Sequence, residues 1–263
     1  MIPVRIIVVV KQLPDLVEEL ELDDDGTDVD RELLSFVANE WDEQALEEAL
    51  LVKETVGAEV VVVGLDEPDI DQTLYTAVAR GADAVVKLTG IPQGWLSTHA
   101  RADILAGWLA DQPFDLIVTG VQAADDLDGQ LAGLLAARLQ LPHAAVVVAM
   151  EVKDGMLSVS QELGGGAVAE SDIRLPAVIG MQTARQAPRY APISRIRQAM
   201  QAGGIVETPA AAAGGAAPWP EGMTIRRLYP PETSAHAEML EGDAGAVAER
   251  IVELLRARGL VKR

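Results

Sequence analysis

Leu116-Ile-Val-Thr-Gly-Val-Gln-Ala-Ala-Asp-Asp-Leu-Asp-Gly-Gln130 runs from an unbroken apolar stretch through a glycine and a set of acids into a helix start. That order reads as strand, loop, helix. At the carboxyl edge of a parallel sheet such a junction turns unpaired backbone N–H groups into a crevice, where they and the helix dipole can hold a phosphate. The stretch is therefore a candidate nucleotide site. The competing reading is that Asp125, Asp126 and Asp128 only cap a helix beginning near Gly129.

Upstream of this junction the chain alternates. Ile2 to Val10 is a continuous Val/Ile run suited to a strand covered on both faces, and it ends at Lys11-Gln-Leu-Pro-Asp15. Lys11 falls just past the carboxyl end of that strand, where open α/β sheets bind ligands; a solvated lysine is the plainer alternative. Glu18 to Asp30 is acidic, and its Asp23-Asp-Asp-Gly26 reads as a surface turn without the spacing of a calcium loop. Asn39, a good N-cap, opens a helix through Ala45, Leu46, Ala49 and Leu50, with Trp41 in its first turn. Strand Glu59 to Gly64, helix Ile70 to Arg80, strand Ala84 to Leu88, helix Thr98 to Asp111, strand Phe114 to Thr119 and helix Gly129 to Leu139 follow. This alternation predicts an α/β fold, a doubly wound and mainly parallel sheet with helices on both faces.

After Pro142 the period changes to two. Ala144 to Val152, Met156 to Glu162, Val168 to Arg174 and Ala177 to Met181, joined by turns at Lys153-Asp-Gly155 and Gly164-Gly-Gly166, predict an antiparallel meander extending the sheet. Gln182 to Tyr190 is polar and irregular, and Pro192 suits the start of a helix to about Ala202. Gly203 to Gly222 reads as an Ala/Gly/Pro-rich linker, Thr224 to Leu228 as a possible strand, and Asp243 to Arg258 as an amphipathic helix. The expected organisation is a nucleotide-binding α/β domain over 1–183, a partner-recognition loop and helix over 184–202, and a linker with a C-terminal arm and helix over 203–263.

Composition narrows the function. The 263 residues carry 41 acids against 21 bases, a formal charge of −20 that repels nucleic acid and anionic lipid. No run is long enough to insert in a bilayer and no leader precedes the first strand, so a soluble cytoplasmic protein is expected. The absence of cysteine removes thiolate catalysis and Cys-ligated metal, and His99, His143 and His236 are scattered. There is no Gly-x-Ser-x-Gly elbow, Walker loop or Gly-x-Gly-x-x-Gly after a strand, and no catalytic residue or metal site stands out. A crevice with an exposed arm suggests binding and docking more than turnover.

Several stretches in register then resemble the beta subunit of electron transfer flavoprotein, the FixA-like family. They are Val9-Val-Lys-Gln-Leu-Pro-Asp15, the helix Asn39-Glu-Trp-Asp-Glu-Gln-Ala-Leu-Glu-Glu-Ala49, Gly81-Ala-Asp83, the loop Gly120 to Gln130, and Leu175-Pro-Ala-Val178 followed by Pro188-Arg-Tyr-Ala-Pro-Ile193. The resemblance implies an adenine nucleotide alpha hydrolase-like fold and a heterodimer with an alpha subunit. Such a pair takes electrons from an acyl-CoA or other flavin dehydrogenase on an FAD held mainly by the alpha subunit, and delivers them to a quinone oxidoreductase. It implies AMP in this subunit, bound by Val9, Asn39, Leu65, Gly120, Val121, Gln122, Ala123, Asp126, Gly129, Gln130 and Leu131. Leu16 and Trp41 would approach the alpha-bound flavin, although Trp41 also suits ordinary core. Glu162 would face the partner's flavin domain, or be a solvated strand acid. Pro192, Ile193 and Ile196 would form the recognition arm, with Ile193 the apolar anchor for the dehydrogenase.

The chain also departs from that pattern. Glu40 replaces a proline, and Gln161 stands where an arginine is usual. The basic run after the arm shrinks to Arg195, Arg197 and few others. Leu127 and Asp128 replace residues of the bifurcating members, and an acid at 128 would repel phosphate. AMP or an empty crevice is therefore expected in place of a second, bifurcating FAD. The remaining alternative is a self-sufficient adenine-nucleotide sensor.

Overall fold

The computed structural model describes residues 4–17, 20–31, 34–92, 94–126, 128–153, 155–210, 225–230 and 239–261. The expectations that touch Ile2, Glu18, Leu127, Asp154, residues 211–222 and Thr224 lie outside these. The chain divides into two compact units, Met1–Leu228 and Tyr229–Arg263.

The first unit is built on a nine-stranded sheet in the order β11-β5-β4-β1-β6-β10-β7-β8-β9. Its centre is parallel: β1 (Arg5–Val10), β4 (Glu59–Leu65), β5 (Ala84–Thr89), β6 (Leu116–Gly120) and β10 (Ala177–Met181). The helices are α1 (Glu40–Val56), α2 (Ile70–Arg80), α3 (Thr98–Leu109), α4 (Leu131–Leu139) and α5 (Ile193–Ala202). Because alternate side chains of a strand face opposite ways, β1 feeds two cores. Ile6, Val8 and Val10 pack with α1 and α2, whereas Ile7 and Val9 pack with α3 and α4. The doubly wound reading is correct.

Three expectations require correction. The predicted four-strand meander has three members, β7 (His143–Lys153), β8 (Met156–Gly164) and β9 (Ala167–Arg174); β10 leaves it and inserts parallel between β6 and β7. Its Ala-Val-Ile-Gly-Met sequence is buried throughout, as a central strand requires and a solvated meander does not. The stretch read as linker begins with a strand, β11 (Ile205–Pro209), which pairs with the edge of β5 and is held there by Lys87 Nζ, 3.0 Å from both Asp71 and Glu207. Gln12–Pro14 (β2) and Phe36–Ala38 (β3) form a small antiparallel ribbon past the end of β1. Residues 225–228 form no strand.

Two shorter readings hold. The Asp23 to Gly26 turn is closed by an antiparallel bridge between Leu22 and Val29. Gly81-Ala-Asp83 joins three elements, since Asp83 accepts the Val60 N–H at 2.8 Å and Lys53 Nζ at 2.6 Å, locking α1 and the start of β4 to the turn before β5.

The second unit contains α6 (Ala244–Ala257), capped by Asp243, whose carboxylate accepts the Ala246 N–H at 2.9 Å. No residue of α6 is buried within the chain. No helix among the described residues is long and apolar enough to cross a membrane.

Candidate functional site

Strand order turns at β1. Its chain neighbour β4 lies on one side and β6 on the other, so the loops after β1 and β6 diverge and open a crevice at their carboxyl ends. Asp42, in the first turn of α1, stitches this fork. Its Oδ2 accepts the Lys11 N–H and its Oδ1 the Gly120 N–H, both at 2.9 Å. Burial pushes the Asp42 carboxyl up to about 7, against the Gly120 N–H, the Asn39 side chain and Lys11, which favour its ionised form. Gly120 permits the approach: a Cβ there would lie 2.5 Å from Asp42 Oδ1 and 2.7 Å from Trp41 Cβ.

The crevice wall comprises Val9, Asn39, Gly120, Gln122, Ala123, Asp126, Gly129, Gln130 and Leu131 of the expected nucleotide contacts, joined by Lys11, Asp42, Arg101 and Asp128. Leu65 and Val121 are buried but do not line it. Asn39 occupies the N-cap position of α1 but makes no cap with its side chain; its amide donates instead to the Gln122 carbonyl at 2.9 Å, tying the first helix to the loop after β6. Its Oδ1 is buried and has no partner among the described residues, leaving a fixed acceptor. Of the three acids, only Asp128 touches the start of α4, accepting the N–H of the N-cap residue Gln130 at 3.1 Å. That helix begins at Leu131, two residues later than expected, without a side-chain cap, so its first-turn N–H groups remain for a ligand.

The electrostatics of the crevice come from residues that periodicity could not pair. Lys11 is buried, not solvated, and its Nζ reaches Asp125 at 2.5 Å and Asp126 at 3.2 Å. Behind it Arg101, from the first turn of α3, donates to Glu67 at 2.5 Å. Burial would lower the Arg101 pKa, but Glu67, and then Asp125 and Asp126, hold it above its ordinary value. As it stands the crevice encloses only ≈ 20 Å³, room for about one water. Among the described residues no cluster of His or acid side chains is arranged to hold a metal.

The arm is fixed by the same helix. Ala184 N–H donates to Gln44 at 3.0 Å, and Arg185 N–H donates to Glu48 at 3.0 Å with Arg185 Nε at 2.7 Å. Arg189 binds Glu47 with both backbone and guanidinium and extends to Glu54 at 2.5 Å. Glu48, fully buried, also accepts the Met150 N–H at 3.1 Å from β7. Thus α1 presents Gln44, Glu47 and Glu48 along one helical face, and the arm lies across it. The Glu-Glu-Ala and Pro-Arg-Tyr motifs are each visible in the sequence; their mutual contact is visible in neither.

Beyond the clamp, Pro192 holds the N-cap position of α5, Ile193 is 61 % exposed and Ile196 is half-buried. Leu16 is exposed beyond the β2–β3 ribbon, and Trp41 is half-buried beside Gly120. Glu162 lies exposed near the tip of the β8–β9 hairpin. Gln161 turns back to its own chain, its amide donating to the Ala145 carbonyl at 2.8 Å.

The family model for the electron transfer flavoprotein domain matches residues 29–213. The beta subunit of electron transfer flavoprotein from Methylophilus methylotrophus is 34% identical over 262 residues, covering 95% of this chain and 97% of the relative. The Dictyostelium discoideum beta subunit is 30% identical over 78% of this chain and 81% of its own length. The caffeyl-CoA reductase-Etf complex subunit CarD of Acetobacterium woodii is 30% identical over 75% of each. By this family match and these likenesses, the chain belongs to the electron transfer flavoprotein family, among its beta subunits.

Proposed function

We propose that this chain works as the beta half of an αβ electron carrier. It joins an alpha subunit that holds most of an FAD, accepts electrons from an acyl-CoA or other flavin dehydrogenase, and passes them to a quinone oxidoreductase. AMP fills the β1/β6 crevice as a structural group, its phosphate against the start of α4 and its neighbourhood neutralised by Lys11. Leu16 and Trp41 cover the alpha-bound flavin and keep water from it, Glu162 faces the partner's flavin domain, and Ile193 anchors the dehydrogenase. No step of bond-making chemistry is assigned to the chain's own side chains; its place is the cytoplasm.

The observation that carries this reading is the arm: a segment clamped to α1 by buried carboxylates so that one aliphatic side chain, Ile193, stands outward. A small docking site gains its energy from such an anchor within a polar surround. A single adenylate is favoured over a second FAD because the Asp128 carboxylate accepts the Gln130 N–H at 3.1 Å, taking a donor that an added phosphate would need.

Co-expression with an alpha subunit tests the reading. A yellow heterodimer releasing one FAD and one AMP on denaturation is expected. Two flavins per heterodimer would replace the AMP assignment, and a colourless homodimer binding adenylates reversibly would overturn the carrier role in favour of a sensor.

A further inference from the structure

The helix that carries Ile193 is held chiefly by its ends. It lies against α2, yet of its ten residues only Ala199 is buried. Apolar burial stabilises in proportion to the area removed from water, and one alanine contributes little of it. Ile193, Ile196 and Met200 recur at helical spacing on one face, of which Ile193 and Met200 are exposed and Ile196 half-buried. Upstream of the helix the hold comes from α1, through the bonds of Gln44, Glu48 and Glu47 to Ala184, Arg185 and Arg189.

Downstream, α5 stops at Gly203 and Gly204, with φ of 68° and 108°. These are backbone conformations that glycine adopts freely and other residues rarely. Among the described residues nothing lies within 4 Å of where a Cβ would stand at either, so the joint is not itself packed. The next residue, Ile205, begins β11. Two residues span at most about 7 Å, so whatever fixes β11 also fixes the far end of α5.

Among the described residues β11 is an edge strand with one neighbour, β5, and its register sets Glu207 opposite Lys87. Lys87 shares a strand face with Val85, which belongs to the core under α1 and α2. It is 9 % exposed, its stem covered and its ammonium directed to the rim. There Nζ lies 3.0 Å from Asp71 of α2, 3.0 Å from Glu207 of β11 and 3.8 Å from Asp66. Burial would lower the Lys87 pKa, but the hydrogen bonds to Asp71 and Glu207 raise it, so the cation persists at ordinary pH. An isolated surface ion pair contributes little. This cluster differs in what the loss of its cation leaves, since Asp71 and Glu207 stand within about 6 Å of each other with Asp66 beside them. Their repulsion acts on the edge strand, the least supported member.

We propose that Lys87 is a positioning residue for the docking helix: through Glu207 it pins the far end of α5 and so sets the tilt of the face bearing Ile193, Ile196 and Met200. The pin follows from these contacts alone; its consequence for docking rests on the carrier reading proposed above.

The chain has no cysteine, so nitroxide labels on Met200→Cys in α5 and on Asp111→Cys, exposed beyond α3, report the helix by double electron–electron resonance on the full chain. One narrow distance is expected in the labelled parent and in Lys87→Arg, and a distribution at least about twice as wide in Lys87→Met and Glu207→Gln. Glu207→Gln leaves Lys87 paired with Asp71, so it decides the matter even if Lys87→Met loses the native circular dichroism spectrum. With an acyl-CoA dehydrogenase as probe, Glu207→Gln in the heterodimer should raise the half-saturating carrier concentration about fivefold, with limiting rate and bound AMP unchanged. A narrow distribution in Glu207→Gln, or one as wide in Lys87→Arg as in Lys87→Met, overturns the pin. A widened distribution with an unchanged half-saturating concentration supports the pin and overturns instead the reading of α5 as the docking helix.

Discussion

The Arg189 guanidinium grips the Glu47 carboxylate, with Nε 3.0 Å from both oxygens and Nη2 2.8 Å from Oε1, while the Arg189 backbone N–H donates to Oε2 at 2.9 Å. Main chain and side chain of one arm residue thus converge on a single acid that is 3 % exposed. Hydrogen bonding to Glu47 and then Glu54 raises the Arg189 pKa, so the guanidinium stays charged throughout the ordinary pH range.

Glu47→Ala should therefore destabilise the chain by about 3 kcal/mol, because it leaves a partly desolvated guanidinium and an orphaned backbone N–H. Arg189→Lys should recover little of the loss, since an ammonium cannot reproduce the planar fork. Urea unfolding monitored by circular dichroism measures both; an Arg189→Lys protein as stable as the parent would show that charge alone holds the arm.

Ile193 tests docking without touching that clamp. It is exposed and first in its helix, so Ile193→Ala should leave stability and bound nucleotide unchanged. Its removal from a partner's pocket should cost about 1–3 kcal/mol, roughly fivefold to 150-fold in the carrier concentration needed for half-maximal reduction by a dehydrogenase. An unchanged concentration dependence would remove Ile193 as the anchor.

Much of the scaffold is legible in the sequence because its signals are local. The Val/Ile runs of β1, β4 and β6 and the 3.6-residue periods of α1 and α2 each lie within one segment. The misreadings arise where a distant neighbour decides the outcome. Ile205–Pro209 is short and stands between two glycines and an Ala-rich stretch, and only pairing with β5 and the Lys87 ion pairs make it a strand. Ala177–Met181 has the same apolar composition whether it continues a hairpin or crosses into the parallel sheet. The candidate site divides similarly: the loop Gly120 to Leu131 announces itself, whereas Arg101, one of several polar residues early in α3 with His99 and Asp103, carries no mark until Glu67 and Asp125 come beside it. The link between Glu47 and Arg189 spans 142 positions and has no local trace.

Gly120 is irreplaceable for a geometric reason. Added Cβ atoms meet essentially immovable neighbours there, including the Asp42 backbone nitrogen at 2.9 Å. Gly120→Ala should force α1 away from the end of β6 and cost about 1–3 kcal/mol or more, with loss of nucleotide. A variant of parental stability that retains AMP would show that the fork can widen.

Asp42 gives a pH signature. Its carboxyl stands at about 7 in the folded chain against 3.8 as its ordinary value, so between those limits the folded state holds a proton that the unfolded state has released. The stabilisation is full below about pH 4 and is lost progressively as pH rises to about 7, beyond which the dependence is flat; the span corresponds to about 4 kcal/mol. Relative to Asp42→Asn, which does not titrate, the parent should lose stability across that window. Parallel stability profiles for the two proteins would show that Asp42 is ionised throughout.

Lys11 tests the proposed AMP site. In the closed arrangement its ammonium is neutralised by Asp125 and Asp126, and on AMP binding the phosphate brings a further negative charge to the same place. Lys11→Met leaves those carboxylates facing the phosphate with only Arg101, already committed to Glu67, to offset them, so AMP retention through purification should fall by about tenfold or more. Asp125→Asn acts in the opposite sense: it weakens the latch on Lys11 and removes one repulsive charge, and should tighten AMP. Chromatographic quantitation of nucleotide released from equal amounts of the three heterodimers measures the order expected, Asp125→Asn above parent above Lys11→Met. If Lys11→Met keeps its AMP, the nucleotide is held by the backbone of the Gly120–Leu131 loop alone and the Lys11 contact serves only to close the empty site.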